Sequence, residues 1–176
     1  YNKGGLVLHH LRSYLGDEIF FNGLYRYLKE NEYTAVEADE LRLAFEDESG
    51  EDLNWFFNQW FFDNGHPDLS IYYDYNETDK TTSVTIYQIQ DTTIAPIYVL
   101  PMAVDIYANG KVERKQIVMD KAIQIFTFPT ETRPDLINVD AEKMLLCTKL
   151  DNKSLEEYLF QLQHAPLFLD RYEAIE

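Results

Sequence analysis

Apolar and polar residues alternate with two different periods along this chain. From Leu6 to Phe62 the period is that of a helix. Val7, Leu8, Leu11, Tyr14 and Leu15 recur at 3.6-residue spacing, and Gly16 supplies a stop. A second helix is predicted from Asp17, with Phe20, Phe21, Leu24, Tyr25, Tyr27 and Leu28 on a wide apolar face and Glu18, Asn22, Arg26 and Lys29 opposite. Thr34 to Glu37 has the spacing of a capping box for a third helix, although Glu37 itself is also placed to cap. Ala38, Leu41 and Phe45 face inward on that helix, and Ser49-Gly50 ends it. The fourth, about 52–62, carries Leu53, Phe56, Phe57, Trp60 and Phe61 on one face and Trp55 and Phe62 on another. A helix apolar on two sides predicts burial on two sides.

Asn64-Gly65-His66-Pro67 punctuates the chain, and from Leu69 the period becomes two. Strands are predicted at Ile71–Tyr75, Val84–Tyr87, Met102–Ile106, Val112–Met119, Ile123–Phe128, Leu136–Val139 and Met144–Cys147. Asn109-Gly110 is a hairpin signal, and Pro96 and Pro101 confine their run to an edge, bulge or bend. Short consecutive strands without intervening helices predict antiparallel pairing in a β-sandwich. Helix returns after Leu150, with Leu155, Tyr158, Leu159 and Leu162 on one face, and breaks at Ala165-Pro166. The expected fold is α+β: a helical bundle over 1–66, an immunoglobulin-like β-sandwich over 67–149 and a short helical segment over 150–176.

Composition narrows the function classes. A net charge of -16 argues against a nucleic-acid partner, which needs clustered cations. No apolar run approaches the ~20 residues that span a bilayer. The chain opens on Tyr1 without a basic, apolar leader, which reads as a piece of a longer protein whose localisation is not written here. One cysteine, Cys147, excludes an internal disulfide and a thiolate metal cluster, and its apolar neighbours predict a buried, inert thiol.

Candidate chemistry is sparse. No His-Glu-x-x-His motif occurs, so no pair of imidazoles shares a helical face for zinc. His9 and His10 are adjacent, project about 100° apart on a helix and are read as structural. His66 lies in a loop and His164 beside a helix break. No serine has a nucleophile-elbow context. Glu46-Asp47-Glu48 reads as a solvated helix end, and Glu37, Asp39 and Glu40 suit a helix N-terminus. What remains is Tyr1-Asn2-Lys3-Gly4-Gly5: a phenol able to donate to a developing oxyanion, a cation expected to pair with an acidic partner, and an open backbone.

Tyr1-x-Lys3-Gly4 resembles the aminopeptidase N family of zinc metallopeptidases. The resemblance continues through Phe20-x-x-Gly23-Leu24-x-x-Tyr27-Leu28, Leu41-x-x-x-Phe45-Glu46-x-x-Ser49-Gly50, Phe56-Phe57-x-Gln59-Trp60 and Gly65-x-Pro67-x-Leu69. Leu169 to Ala174 resembles the opening of that family's C-terminal helical domain. The resemblance implies a zinc-dependent parent that removes N-terminal residues from peptides, with Tyr1 stabilising the tetrahedral intermediate. It also implies that the zinc ligands lie before Tyr1, so that this segment holds no cofactor and is inactive alone. The alternative is a metal-free relative serving as a scaffold or interaction module. Four helices lacking their partner layer are further expected to self-associate.

Overall fold

The computed structural model describes residues 1–176, which form two compact units. One comprises 1–65 with 93–96, the other 66–92 with 97–176.

The first unit is helical: α1 (Asn2–Leu15), α2 (Asp17–Glu30), α3 (Ala38–Ser49) and α4 (Asn54–Phe57), the last running on as a π-helical turn, Asn58–Phe62. Val7, Leu11 and Leu15 are buried on α1, together with His10, which the apolar pattern left out. On α2 only Phe20 and Gly23 are buried, while Phe21, Tyr25 and Leu28 stay exposed, so half of the predicted apolar face is uncovered. Gly23 lets α3 approach closely. A Cβ there would stand 2.5 Å from Cδ1 of Phe45, which is fully buried and stacked on Phe20 with centroids 5.3 Å apart. α3 starts one turn later than the Thr34 box predicts. Glu37 is its N-cap, and the Glu37 N–H donates to Glu40 Oε2 at 2.8 Å. Thr34 is occupied elsewhere, its hydroxyl donating to the Asn31 carbonyl at 2.9 Å. In the fourth helix Phe56, Phe57 and Trp60 are buried, but Phe62 is exposed, so burial on both sides is not realised within this chain.

The second unit holds seven strands: β1 (Asp68–Asn76), β2 (Thr81–Gln88), β3 (Leu100–Ala108), β4 (Lys111–Met119), β5 (Ile123–Pro129), β6 (Leu136–Val139) and β7 (Thr148–Asp151). They form two sheets, ordered β5-β2-β1-β7 and β4-β3-β6, that make a sandwich-like unit. β2 alternates strictly, burying Thr82, Val84, Ile86 and Gln88. The β3–β4 hairpin turns on Asn109 (φ 53°) and Gly110 (φ 69°), the two left-handed residues of a type I′ turn, and pairs Ala108 with Lys111. Pro101 sits where β3 pairs only with β4, since β6 ends opposite Val104. The Gln88 side chain stands in for a strand: Nε2 donates to the Tyr98 carbonyl at 2.8 Å and Oε1 accepts the Tyr98 N–H at 2.9 Å.

The last strand departs from expectation. Met144–Cys147 is irregular, and the pairing segment is Thr148–Asp151. It runs parallel to β1, the one parallel pair in otherwise antiparallel sheets. Met144 and Leu145 instead donate their N–H groups to the Asp140 carboxylate, at 3.0 and 3.4 Å. That local ring of bonds competes with strand pairing. Helices α5 (Leu155–His164) and α6 (Phe168–Glu173) close the unit.

Candidate catalytic tyrosine and its helical platform

Tyr1 is the N-cap of α1 and is fully exposed. Its carbonyl accepts the Gly5 N–H at 3.1 Å, so the backbone is already helical one residue after the phenol. A Cβ at Gly4 or Gly5 would meet nothing within 4 Å, so the first turn is open to approach. Lys3 does not await an acid: its Nζ donates to the Gly65 carbonyl at 2.9 Å, tying the first turn to the end of the helical unit.

Further along α1 the packing is aromatic. His10 lies edge-on to Phe56 and Trp60, with centroids 5.4 and 5.7 Å away. Burial, then the neighbouring His9, pushes the His10 pKa down to about 4, so the ring is neutral at neutral pH. Its Nδ1 is buried without a hydrogen bond. Tyr14 packs edge-on to Trp55 at 5.4 Å and donates its hydroxyl to Glu51 Oε2 at 2.8 Å. α1 is thus anchored to residues 51–65 by Lys3, His10 and Tyr14.

The carboxylates read as a solvated helix end are paired. Glu46 accepts from Arg42 at 2.7 Å and from the Leu53 N–H at 2.9 Å, which fixes the turn between α3 and α4. Asp47 and Glu48 both pair with Arg26 on α2, at 2.8 and 2.9 Å. An arginine 20 or so residues upstream gives no local signal, so the sequence did not reveal these pairs. Burial pushes the Cys147 thiol up to about 12, which keeps it protonated and unreactive. His66 sits 3.2 Å from Thr148 Oγ1, and His164 lies tilted against Phe160 with centroids 4.3 Å apart.

No group of three or more His, Cys, Asp or Glu side chains is placed to hold a metal ion. A zinc site needs several such ligands converging on one point. His10 packs against aromatic rings and is part of no such group. The residues present therefore do not fit zinc.

The profile described as the peptidase family M1 domain matches residues 1–60. Across all of this chain, aminopeptidase N of Escherichia coli is 28% identical over 197 aligned positions, which make up 22% of that protein. Aminopeptidase M1 of Arabidopsis thaliana is 37% identical over 70 residues, 40% of this chain and 8% of that protein. The tricorn protease-interacting factor F2 of Thermoplasma volcanium is 36% identical over 81 residues, 46% of this chain and 10% of that protein. In structure, Legionella pneumophila aminopeptidase A, solved in complex with aspartic acid, superposes with a TM-score of 0.84. It does so at 21% identity over 99% of this chain and 20% of that one. Residues 1–60 thus match the peptidase M1 family domain, and the whole chain is similar to aminopeptidase N. It spans about a fifth of the length of E. coli aminopeptidase N.

Proposed function

We propose that this chain is the part of a zinc-dependent aminopeptidase that supplies the oxyanion-side hydroxyl, Tyr1, to hydrolysis of N-terminal residues from peptides. The observation that carries the reading is the family match over 1–60, opening on a phenol that stands free at the first turn of an anchored helix. As a substrate carbonyl becomes tetrahedral its oxygen gains negative charge, and the Tyr1 O–H is suited to donate to it. Helix α1 sets the direction of that donation, and Lys3 and His10 keep the helix in place. The zinc and its ligands would belong to the part of the relatives' length that this chain does not span.

Two measurements test the reading. In the full-length protein, Tyr1→Phe is expected to lower kcat roughly a hundredfold or more, the scale for losing one such donor. KM should move little, because the bond forms mainly in the transition state. An unchanged kcat removes Tyr1 from the catalytic group. The 176-residue chain alone is expected to carry no stoichiometric zinc and to turn over no aminoacyl substrate, and finding both overturns the division of labour. A full-length protein with neither zinc nor turnover would instead favour a scaffold.

A further inference from the structure

Helix α6 is docked the wrong way round for an amphipathic helix. Its one buried residue is an aspartate, Asp170, with no exposure at all. Phe168 is 70% exposed, and Leu169, Tyr172 and the following Ile175 are exposed as well. A helix normally holds its place by burying its apolar stripe. α6 turns that stripe outward and its charges inward.

Those charges enter a single buried cluster. Lys143 Nζ lies 3.1 Å from Asp170 Oδ1 and 2.8 Å from Glu173 Oε2, and donates to Asn138 Oδ1 at 3.0 Å. Asn138 on β6 donates in turn to Asp170 Oδ1 at 2.8 Å. Lys149 on β7 reaches Glu173 at 2.9 Å. The Asp170 carbonyl accepts from Gln161 on α5 at 2.7 Å, and Gln161 Oε1 accepts from Lys153 at 2.8 Å. Lys153 pairs with Asp151 at 2.7 Å, to which Tyr73 of β1 donates at 2.6 Å. Asp140 completes the set of buried charges, acting on both Lys143 and Lys149. The side chains of Lys143, Lys149 and Lys153 are all nearly excluded from solvent. Burial pulls the Lys149 pKa down, but Glu173 and Asp151 outweigh it and hold it above the usual range, so that lysine stays charged.

We propose that α6 is a charge-docked latch: this cluster is its main tie to β6 and β7, and the helix swings off as a unit, with both sheets intact, when the cluster loses one charge. Three things follow from the geometry. Undocking uncovers only the covered halves of Leu169 and Tyr172, because Phe168 and Ile175 already face out. Undocking removes both α6 carboxylates from Lys143, leaving it the neutral Asn138 amide and the charge of Asp140. A buried pair broken on one side is destabilised far more than an exposed one. α6 is therefore held more by charge than by apolar burial, which makes it prone to open by itself.

Hydrogen exchange read by mass spectrometry on the 176-residue chain is the test. In the unaltered chain, amides 168–176 should be protected but open at lower denaturant than those of β1 to β6. In Lys143→Gln, and separately in Asp170→Asn, which keeps the shape of the side chain, amides 168–176 should exchange at least about a hundredfold faster while the sheets are unchanged. Equal acceleration in α6 and the sheets would make the cluster part of the sandwich core and overturn the latch. So would unchanged exchange in both variants, or an α6 already unprotected in the unaltered chain. Should a variant fail to fold, the denaturant series on the unaltered chain decides alone, and coincident opening of α6 and the sheets is the contrary result.

Discussion

Gly23 and His10 carry more of the helical unit than their chemistry suggests. Adding a methyl at Gly23 places it 2.5 Å from a ring with no room to move, since Phe45 is fully buried and stacked on Phe20. Gly23→Ala is expected to destabilise this unit by about 1–3 kcal/mol, the scale of overpacking. Both tryptophans, Trp55 and Trp60, lie in this unit, so urea unfolding followed by tryptophan fluorescence reads it directly. His10 makes the same unit acid-sensitive. The unfolded chain protonates this histidine near pH 6.5, the folded chain only near 4. Between those values the unfolded state holds more protons, so stability falls as pH falls, by on the order of 3 kcal/mol over the window. Asp140 in the other unit acts with the opposite sign. Burial raises its pKa to about 6, so its contribution grows as pH falls from there and is lost as pH rises through 6. In fluorescence-monitored urea midpoints between pH 6.5 and 4, His10→Leu should show a shallower decline than the parent chain. An identical slope would mean that His10 is not the group responsible.

Local capping decides where helices begin, and its energetics can be measured one element at a time. At α5, Ser154 accepts the Glu157 N–H at 3.3 Å, and Glu157 Oε2 accepts the Ser154 N–H at 2.7 Å. Tyr158 also donates its hydroxyl to the Asp151 carbonyl, binding the first turn to β7. Ser154→Ala is expected to cost about 1 kcal/mol and to raise amide exchange across Leu155–Tyr158, with the sheets unchanged. No change in that exchange would show that packing rather than the cap holds the first turn. The same logic explains why α3 starts at Glu37: Glu40 returns a carboxylate to the cap N–H, while Thr34 is already committed to Asn31.

At the level of the complete chain, the helical unit presents uncovered apolar surface. Phe21, Tyr25 and Leu28 fall on one stripe of α2 at i, i+4 and i+7, and Leu6 and Phe62 are exposed besides. Apolar surface of this kind tends to find a partner. The net charge of -16 opposes association, but screening confines that repulsion to ~8 Å at physiological salt. Light scattering at moderate salt is expected to show concentration-dependent association, reduced by Tyr25→Lys with Leu28→Glu. A strictly monomeric chain at high concentration, binding no hydrophobic dye, would show that this surface needs no partner.

Periodicity, turn residues and the Tyr1-x-Lys3-Gly4 opening were enough to place four helices, six of the seven strands, the Asn109-Gly110 hairpin and the family resemblance. These features are local: a 3.6 or 2.0 repeat and a left-handed dipeptide are written within a few consecutive residues. The partner of Lys3, the aromatic enclosure of His10, the Arg26 pairs with Asp47 and Glu48, and the parallel placement of β7 were not legible. Each joins residues far apart in the chain, 62 apart for Lys3 and Gly65, and nothing in the local pattern selects one distant partner over another. The inward-facing Asp170 is the sharpest case. Read along the chain, Phe168, Leu169 and Tyr172 are the side to bury. Lys143, Lys149 and Asn138, brought together only by the folded sandwich, offer the charges of α6 a better-matched site than solvent offers its apolar residues, and the helix turns accordingly.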